Sequence, residues 1–256
     1  MRKRQKTVWI TGASSGIGLA FAQAYAKKGY RLILTARRRG RLEKIAANLG
    51  VSCRIETADL SKDEECYRVC NLLKEETIDI FINNAGFGTC GEFAETDMTK
   101  EIDMIHVNVE AMHILCKEVL RHMRAKGHGT ILNVASSAGL LPGGPYMATY
   151  YATKAYVVSL TKSIAQEQRE KKSGVYVCAL CPGPVDTEFF DHTGKEVASV
   201  KKKFRADAKD VVRKALIDSA RGKKISVYGL PMKAAWVASK IVPDSVIVAV
   251  MEKIAE

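Results

Sequence analysis

Short apolar, β-branched runs alternate along the chain with longer stretches in which apolar positions recur every three to four residues. The short runs read TVWIT at 7–11, RLILTA at 31–36, VSCRIET at 51–57, IDIFIN at 78–83, GTILNVAS at 129–136, GVYVCAL at 174–180 and KISVY at 224–228. Several are apolar at successive positions, as strands buried on both faces must be. Between them the helical spacing predicts helices near 17–28, 38–49, 62–75, 99–125, 150–171 and 207–221. Strand, helix and strand repeated in this way imply parallel pairing through right-handed crossovers. The expected fold class is therefore α/β: an open, doubly wound parallel sheet of about seven strands with helices on both faces. No linker, low-complexity tract or short-period repeat breaks the pattern, so 1–256 reads as a single domain. The stretch 183–206 lacks regular periodicity and follows the sixth strand, a place where a substrate lid is expected.

Bulk properties narrow the partners without choosing one. The chain has 256 residues, 47% hydrophobic and 27% charged, which suffices for a large core. Its net charge of +12 suits anionic partners such as phosphorylated cofactors, acidic lipids or nucleic acid. The basic runs MRKRQK, RRRGR at 37–41 and KKKFR at 201–205 carry no zinc-finger spacing, RNA-binding signature or aromatic interleaving, so nucleic acid is not the expected partner. Seven cysteines without disulfide-like spacing indicate a reducing compartment. Cys178 and Cys181 form a C-x-x-C, but inside an apolar strand, where they read as small buried hydrophobes. The charged start lacks an apolar signal core, and Lys240, Pro243 and Asp244 interrupt the apolar tail. The expected location is cytoplasmic. The five histidines do not cluster and no metal-ligand spacing is present, so no metal is expected.

Directly after the first strand comes Thr11-Gly12-Ala13-Ser14-Ser15-Gly16-Ile17-Gly18, followed by a helix. Strand, glycine turn and helix in that order form a dinucleotide fingerprint. Gly12 allows the tight turn, Gly16 lets backbone approach a pyrophosphate held by the helix N-terminus, and Gly18 leaves room for helix to pack on sheet. The second strand ends at Ala36, followed by Arg37 and Arg38. An acid there would accept from an unphosphorylated ribose, whereas a guanidinium donates to a 2′-phosphate. The expected cofactor is NADP(H), with Arg37 the first contact and Arg38 the second.

Further along, TYYATK at 149–154 sets a tyrosine four residues before a lysine. Residues four apart share a helix face, so Tyr150 meets Lys154 while Tyr151 points about a quarter turn away. A neighbouring ammonium favours phenolate, which makes Tyr150 the candidate acid for reduction and base for oxidation. Ser136 and Ser137 stand at the carboxyl end of the fifth strand, the edge where open α/β sheets bind ligands, and a hydroxyl there can donate to a substrate carbonyl.

Taken together, the Thr-Gly-x-x-x-Gly-x-Gly turn, Asp59, the NNAG run at 83–86, Asn108, Ser137, Tyr150, Lys154 and Pro182-Gly183 resemble the short-chain dehydrogenase/reductase family, in order and over about 7–190. The resemblance implies a Rossmann-type domain and roles for individual residues. Its serine-to-tyrosine spacing favours Ser137 over Ser136. Asp59 would contact adenine, with Asn84, Ala85 and Gly86 beside the adenosine. Lys154 would reach the nicotinamide ribose, and Asn108 would hold a water linking the lysine to solvent. Pro182, Gly183, Val185 and Thr187 would border the nicotinamide, the last two at its carboxamide.

The resemblance weakens at the end of the chain. In place of a short glycine-rich tail, 229–256 runs on as an apolar extension. It is expected to line the substrate pocket or to modify oligomer packing, ahead of resting on a membrane surface, and the assembly is expected to be a homodimer or homotetramer. The function implied is an NADPH-dependent carbonyl reductase, reversibly an alcohol dehydrogenase, for a small or lipid-like ketone, steroid and acyl carbonyls included. The alternative from another class is a non-catalytic NADP-binding sensor or scaffold of the same fold.

Overall fold

A computed structural model describes residues 4–189 and 205–255. All seven predicted strands form: β1 (Thr7–Thr11), β2 (Arg31–Ala36), β3 (Cys53–Thr57), β4 (Ile80–Asn83), β5 (Gly129–Val134), β6 (Val175–Cys181) and β7 (Ile225–Val227). They pair in parallel as one sheet of order β3-β2-β1-β4-β5-β6-β7. The helices are α1 (Gly16–Ala26), α2 (Arg39–Leu49), α3 (Asp63–Cys70), α4 (Met98–Ile105), α5 (Met112–Lys126), α6 (Ala148–Glu170), α7 (Ala208–Ala220), α8 (Leu230–Ala238) and α9 (Asp244–Ala255).

The period-two geometry of a strand sends alternate side chains into two separate cores. Val8, Ile10, Leu32 and Leu34 pack with Phe21 and Tyr25 of α1, Leu42 of α2 and Val211 of α7. Trp9, Ile33, Phe81 and Ile131 face the other way, onto Val69 of α3, Leu115 and Val119 of α5 and Val157 of α6. This is why the strands read as continuous apolar runs. Cys178 and Cys181 fall into opposite cores, and no disulfide joins the described cysteines. Polar ties within the sheet fix the helices that carry the site. Asn133 on β5 donates to Thr161 Oγ1 on α6 at 3.0 Å, and Asn83 on β4 donates to the Met112 carbonyl at 2.9 Å.

The structure revises two of the predicted helices. The span 99–125 is interrupted by a π-helical turn at His106–Ala111, which separates α4 from α5. The span 62–75 tightens into a 3₁₀ turn over Asn71–Lys74. The C-terminal extension, given no secondary structure above, folds as α8 and α9. Pro231 stands near the start of α8 and Pro243 just before α9, both usual helix-start signals. Of the proposed lid 183–206, positions 190–204 lie outside the described residues. No described helix is long and apolar enough to cross a membrane.

Candidate active site

The strand order reverses between β1 and β4, so the loops leaving their carboxyl ends turn to opposite sides and open a crevice, the usual ligand site of such a sheet. A cavity of about 1080 Å³ lies over this edge. Of the predicted residues only Gly18 and Asn108 are not on its wall. Its floor is stitched by Thr11, whose hydroxyl accepts from the backbone N–H groups of Asn84 and Ala85 at 2.9 and 3.0 Å. The Asn84 amide donates in turn to the Thr11 and Gly12 carbonyls at 2.9 and 3.3 Å. Asn84 and Ala85 thus fasten the two strand ends that frame the crevice.

The glycine turn needs its glycines for distinct reasons. Gly12 and Gly16 have φ of +63° and +53°, a region that L side chains rarely adopt. A Cβ on Gly18 would lie 2.3 Å from the Gly12 carbonyl oxygen, so α1 can start against the turn only without one. Ser15, the N-cap, makes no side-chain cap bond, and no acid stands in the first turn of α1. The first N–H groups and the positive end of the helix dipole therefore face the cleft uncompensated, as a pyrophosphate requires. Asp59 also lines the cleft, and its carboxylate accepts from the backbone and hydroxyl of Ser61. At the end of β2, Arg37 lines the cleft. Arg38 donates to Ser14 Oγ at 3.1 Å and pairs with Glu188 at 2.9 Å. Glycine turn, helix end and arginines together fit a phosphorylated dinucleotide.

At the far end Tyr150 and Lys154 meet on α6 as their spacing predicts. The ammonium stands 5.8 Å from the Tyr150 ring centroid and donates to the Val134 carbonyl at 3.2 Å. A Cβ on Gly86 would lie 3.2 Å from Lys154 Nζ and 2.7 Å from Asn108 Oδ1, so this glycine lets lysine and asparagine reach the same point. Asn108 sits in the π turn, and its side chain is spent on structure. Its amide donates to the Phe87 carbonyl and to Thr153 Oγ1, and its Oδ1 accepts from the Phe87 N–H. The π turn that carries it is a local irregularity of the kind often found at functional sites.

Two features of the site depart from expectation. First, the serine hydroxyl that acts on the Tyr150 phenol, pulling its acidity down, is that of Ser136, one place before the Ser137 favoured by the spacing. Ser136 Oγ accepts from the Ala138 N–H at 3.1 Å, leaving its own proton to give. Ser137 lines the cleft too, while its backbone N–H ties β5 to β6 through the Pro182 carbonyl at 2.7 Å. Counting thirteen residues back from Tyr150 reaches Ser137. Between the two lies the connection 141–147, where Tyr146 adopts φ +62°. The signal for Ser136 was its place as a turn cap, two residues before the N–H it accepts.

Second, burial dominates the phenol's acidity. It pushes Tyr150 up to about 12, with the Ser136 hydrogen bond pulling down, and it pushes Lys154 down to about 8 against the opposing influence of Cys181. Both groups are therefore held toward their neutral forms. Tyr151, a quarter turn on, also lines the cleft, its ring packed against Gly144 and edge-on to Tyr150 at 6.4 Å.

The wall opposite the glycine turn is apolar. Met232 and Ala235 of α8 and Val246, Ile247, Val250 and Met251 of α9 face Leu141, Met147, Phe87 and Phe189. Gly183 packs on Met232, and Thr187 on Gly16, so the turn after β6 joins this wall to the phosphate cradle. The C-terminal extension thus lines the pocket. Among the described residues no cluster of His, Cys, Asp or Glu could hold a metal ion.

A seven-stranded parallel sheet, a glycine turn at its switch point and a tyrosine-lysine pair beside a serine define a nicotinamide-dependent oxidoreductase. The family model of the short chain dehydrogenases matches residues 6–198, and the chain belongs to that family. It is 34% identical over 187 residues to a 3-oxoacyl-(acyl-carrier-protein) reductase of Rickettsia prowazekii, covering 73% of this chain and 75% of the relative. Among solved structures it is similar to a short-chain dehydrogenase from Sphingobium yanoikuyae in complex with NADPH, with a TM-score of 0.83, 32% identity and coverage of 96% and 95% of the two chains. A bulky-bulky ketone specific alcohol dehydrogenase from Comamonas testosteroni matches with a TM-score of 0.79 and 28% identity, covering 98% of this chain and 95% of that one.

Proposed function

We propose that the protein is an NADP(H)-dependent carbonyl reductase, reversibly an alcohol dehydrogenase, for ketones carrying bulky apolar groups. The observation that carries the reading is the meeting of Ser136, Tyr150 and Lys154 at one end of a cleft whose other end presents arginine at the close of β2. Arg37 and Arg38 stand where an acid would favour the unphosphorylated cofactor, and both support NADP(H). The apolar surfaces of α8 and α9 support a substrate with a lipid-like body.

When bound, the nicotinamide supplies hydride to the carbonyl carbon or removes it from the carbinol carbon. Ser136 donates to the carbonyl oxygen and stabilises the charge that gathers there. Tyr150, neutral at working pH, gives its proton to the same oxygen. Lys154 lies near enough to stabilise the phenolate left behind, and the buried setting strengthens that attraction because little water screens it. Asn108 positions the backbone of the π turn beside the lysine, a route for returning the proton through water. Val185 and Thr187 border the nicotinamide, and Asp59, Asn84, Ala85 and Gly86 the adenosine side.

The test is oxidation of NADPH and of NADH by purified protein over a panel of ketones, aldehydes, steroids and β-ketoacyl thioesters, with Tyr150→Phe and Tyr151→Phe alongside. Turnover should favour NADPH and bulky ketones. It should fall by at least about 10²-fold in the first variant and persist in the second. Tight NADPH binding without turnover across the panel would refute the enzymatic reading.

A further inference from the structure

One ion-pair cluster ties Arg38 and Glu188 of the cleft wall to Arg41, and neither Glu188 nor Arg41 has a part in the chemistry above. Glu188 follows the turn after β6, and its two carboxylate oxygens are taken by two different guanidiniums. Arg38 Nη2 donates to Oε2 at 2.9 Å, and Arg41 Nη2 donates to Oε1. The same Arg38 nitrogen donates to Ser14 Oγ in the glycine turn, so the cluster spans from α2 across to the phosphate cradle. The two arginines hold the Glu188 carboxyl below the usual carboxylate range, Arg41 first and Arg38 next.

Two guanidiniums converging on separate oxygens of one anion, with a serine hydroxyl beside them, is the arrangement that recognises a phosphate group. Both arginines also belong to the start of α2, Arg38 as its N-cap and Arg41 in its first turn, and no acid stands in that turn. Positive charge at the positive end of a helix is unfavourable unless an anion joins it. Here the anion comes from a segment some 150 positions away in the chain. The pairs are partly exposed, the Glu188 side chain at 31% and Arg38 and Arg41 at 47% and 39%, so each is weak and readily exchanged.

We infer that the Glu188 carboxylate occupies the place of the cofactor's 2′-phosphate, that Arg41 joins Arg38 in binding that phosphate, and that NADP(H) must displace Glu188 to bind. The inference rests on the NADP(H) reading above. Glu188 then sets the affinity for the phosphorylated cofactor below what the bare arginines would give, and leaves the unphosphorylated one unaffected. Because Glu188 directly follows Thr187, whose side chain packs on Gly16, an anion arriving at the adenosine end releases a tether on the segment that borders the nicotinamide.

The experiment is calorimetric titration of the full chain with adenosine 2′,5′-bisphosphate and with 5′-AMP at one fixed ionic strength. Wild type, Glu188→Gln, Arg41→Ala and the double variant are compared. Wild type should prefer the bisphosphate. Glu188→Gln should bind it about three- to ten-fold more tightly, with 5′-AMP unchanged. Arg41→Ala should bind it about ten-fold more weakly, and the double variant should show less gain from the glutamine than the single one. If Glu188→Gln binds the bisphosphate no more tightly, or gains equally for 5′-AMP, the displacement is wrong while the NADP(H) reading stands. If wild type itself does not distinguish the two ligands, the NADP(H) reading fails and this inference with it.

Discussion

Lys154 offers a test of how strongly burial governs the site. It is 5% exposed, and its ammonium donates to the Val134 carbonyl at 3.2 Å. Burial takes it from an ordinary 10.5 down to about 8, with Cys181 acting the other way. At 1.36 kcal/mol per pH unit, that gap means about 3 kcal/mol against the charged form at pH 7. Lys154→Met keeps the apolar stem and removes the charge, at a cost of about 1 kcal/mol for the hydrogen bond lost. The variant should therefore be more stable than wild type by about 2 kcal/mol, or roughly 4–8 °C for a chain of this size. The sign with pH follows from proton binding. Between about pH 8 and 10.5 the unfolded chain holds a proton at this lysine that the folded protein has lost, so wild-type stability gains across that window. The variant lacks the group, and its advantage should be largest at or below pH 7 and disappear as pH rises toward 10.5. Urea unfolding of both proteins without added cofactor, from pH 6.5 to 10.5, measures the difference, in which titrating groups remote from Lys154 cancel. A variant less stable at pH 7, or a difference that does not change with pH, would show that the ammonium is not desolvated and would sink the argument.

Three further outcomes can be checked. Ser136→Ala should lower kcat by about 10²-fold, the usual loss of a donor to a developing oxyanion, while Ser137→Ala stays within a few-fold; the reverse ranking in steady-state kinetics would return the role to Ser137. Gly18→Ala sets a Cβ 2.3 Å from the Gly12 carbonyl oxygen, so it should cost about 1–3 kcal/mol and weaken cofactor binding, read by thermal unfolding and NADPH titration. An unchanged melting temperature would mean that α1 can shift away. Val250→Lys places charge on the half-exposed α9 wall and should raise KM for bulky apolar ketones about ten-fold with little change for small ones; equal effects on both would remove α9 from the substrate site.

How far the protein was legible before folding depended on the distance over which each signal acts. The short continuous apolar runs of β1 and β2 and the glycine turn beside them are local, and they appear where the residues place them. Tyr150 and Lys154 are related by one turn of a single helix, so covalent geometry alone brings them together. The serine could not be read the same way, because the count to Tyr150 crosses the 141–147 connection, whose path no periodicity controls. The π turn at His106–Ala111 is likewise hidden, and the Asn108 side chain within it bridges to Phe87 and Thr153, both distant in the chain.

The sequence by itself determined the doubly wound sheet, the family, the phosphate cradle and the tyrosine-lysine pair, because each is written within a few residues by steric limits and helix or strand period. Only the tertiary structure decided that the Ser136 hydroxyl acts on the phenol, that α8 and α9 line the cleft, and that Glu188 closes on Arg38 and Arg41. It also decided that burial shifts both Tyr150 and Lys154 toward their neutral forms. Those outcomes depend on which distant segments pack together and how much water they exclude, quantities set by the whole core.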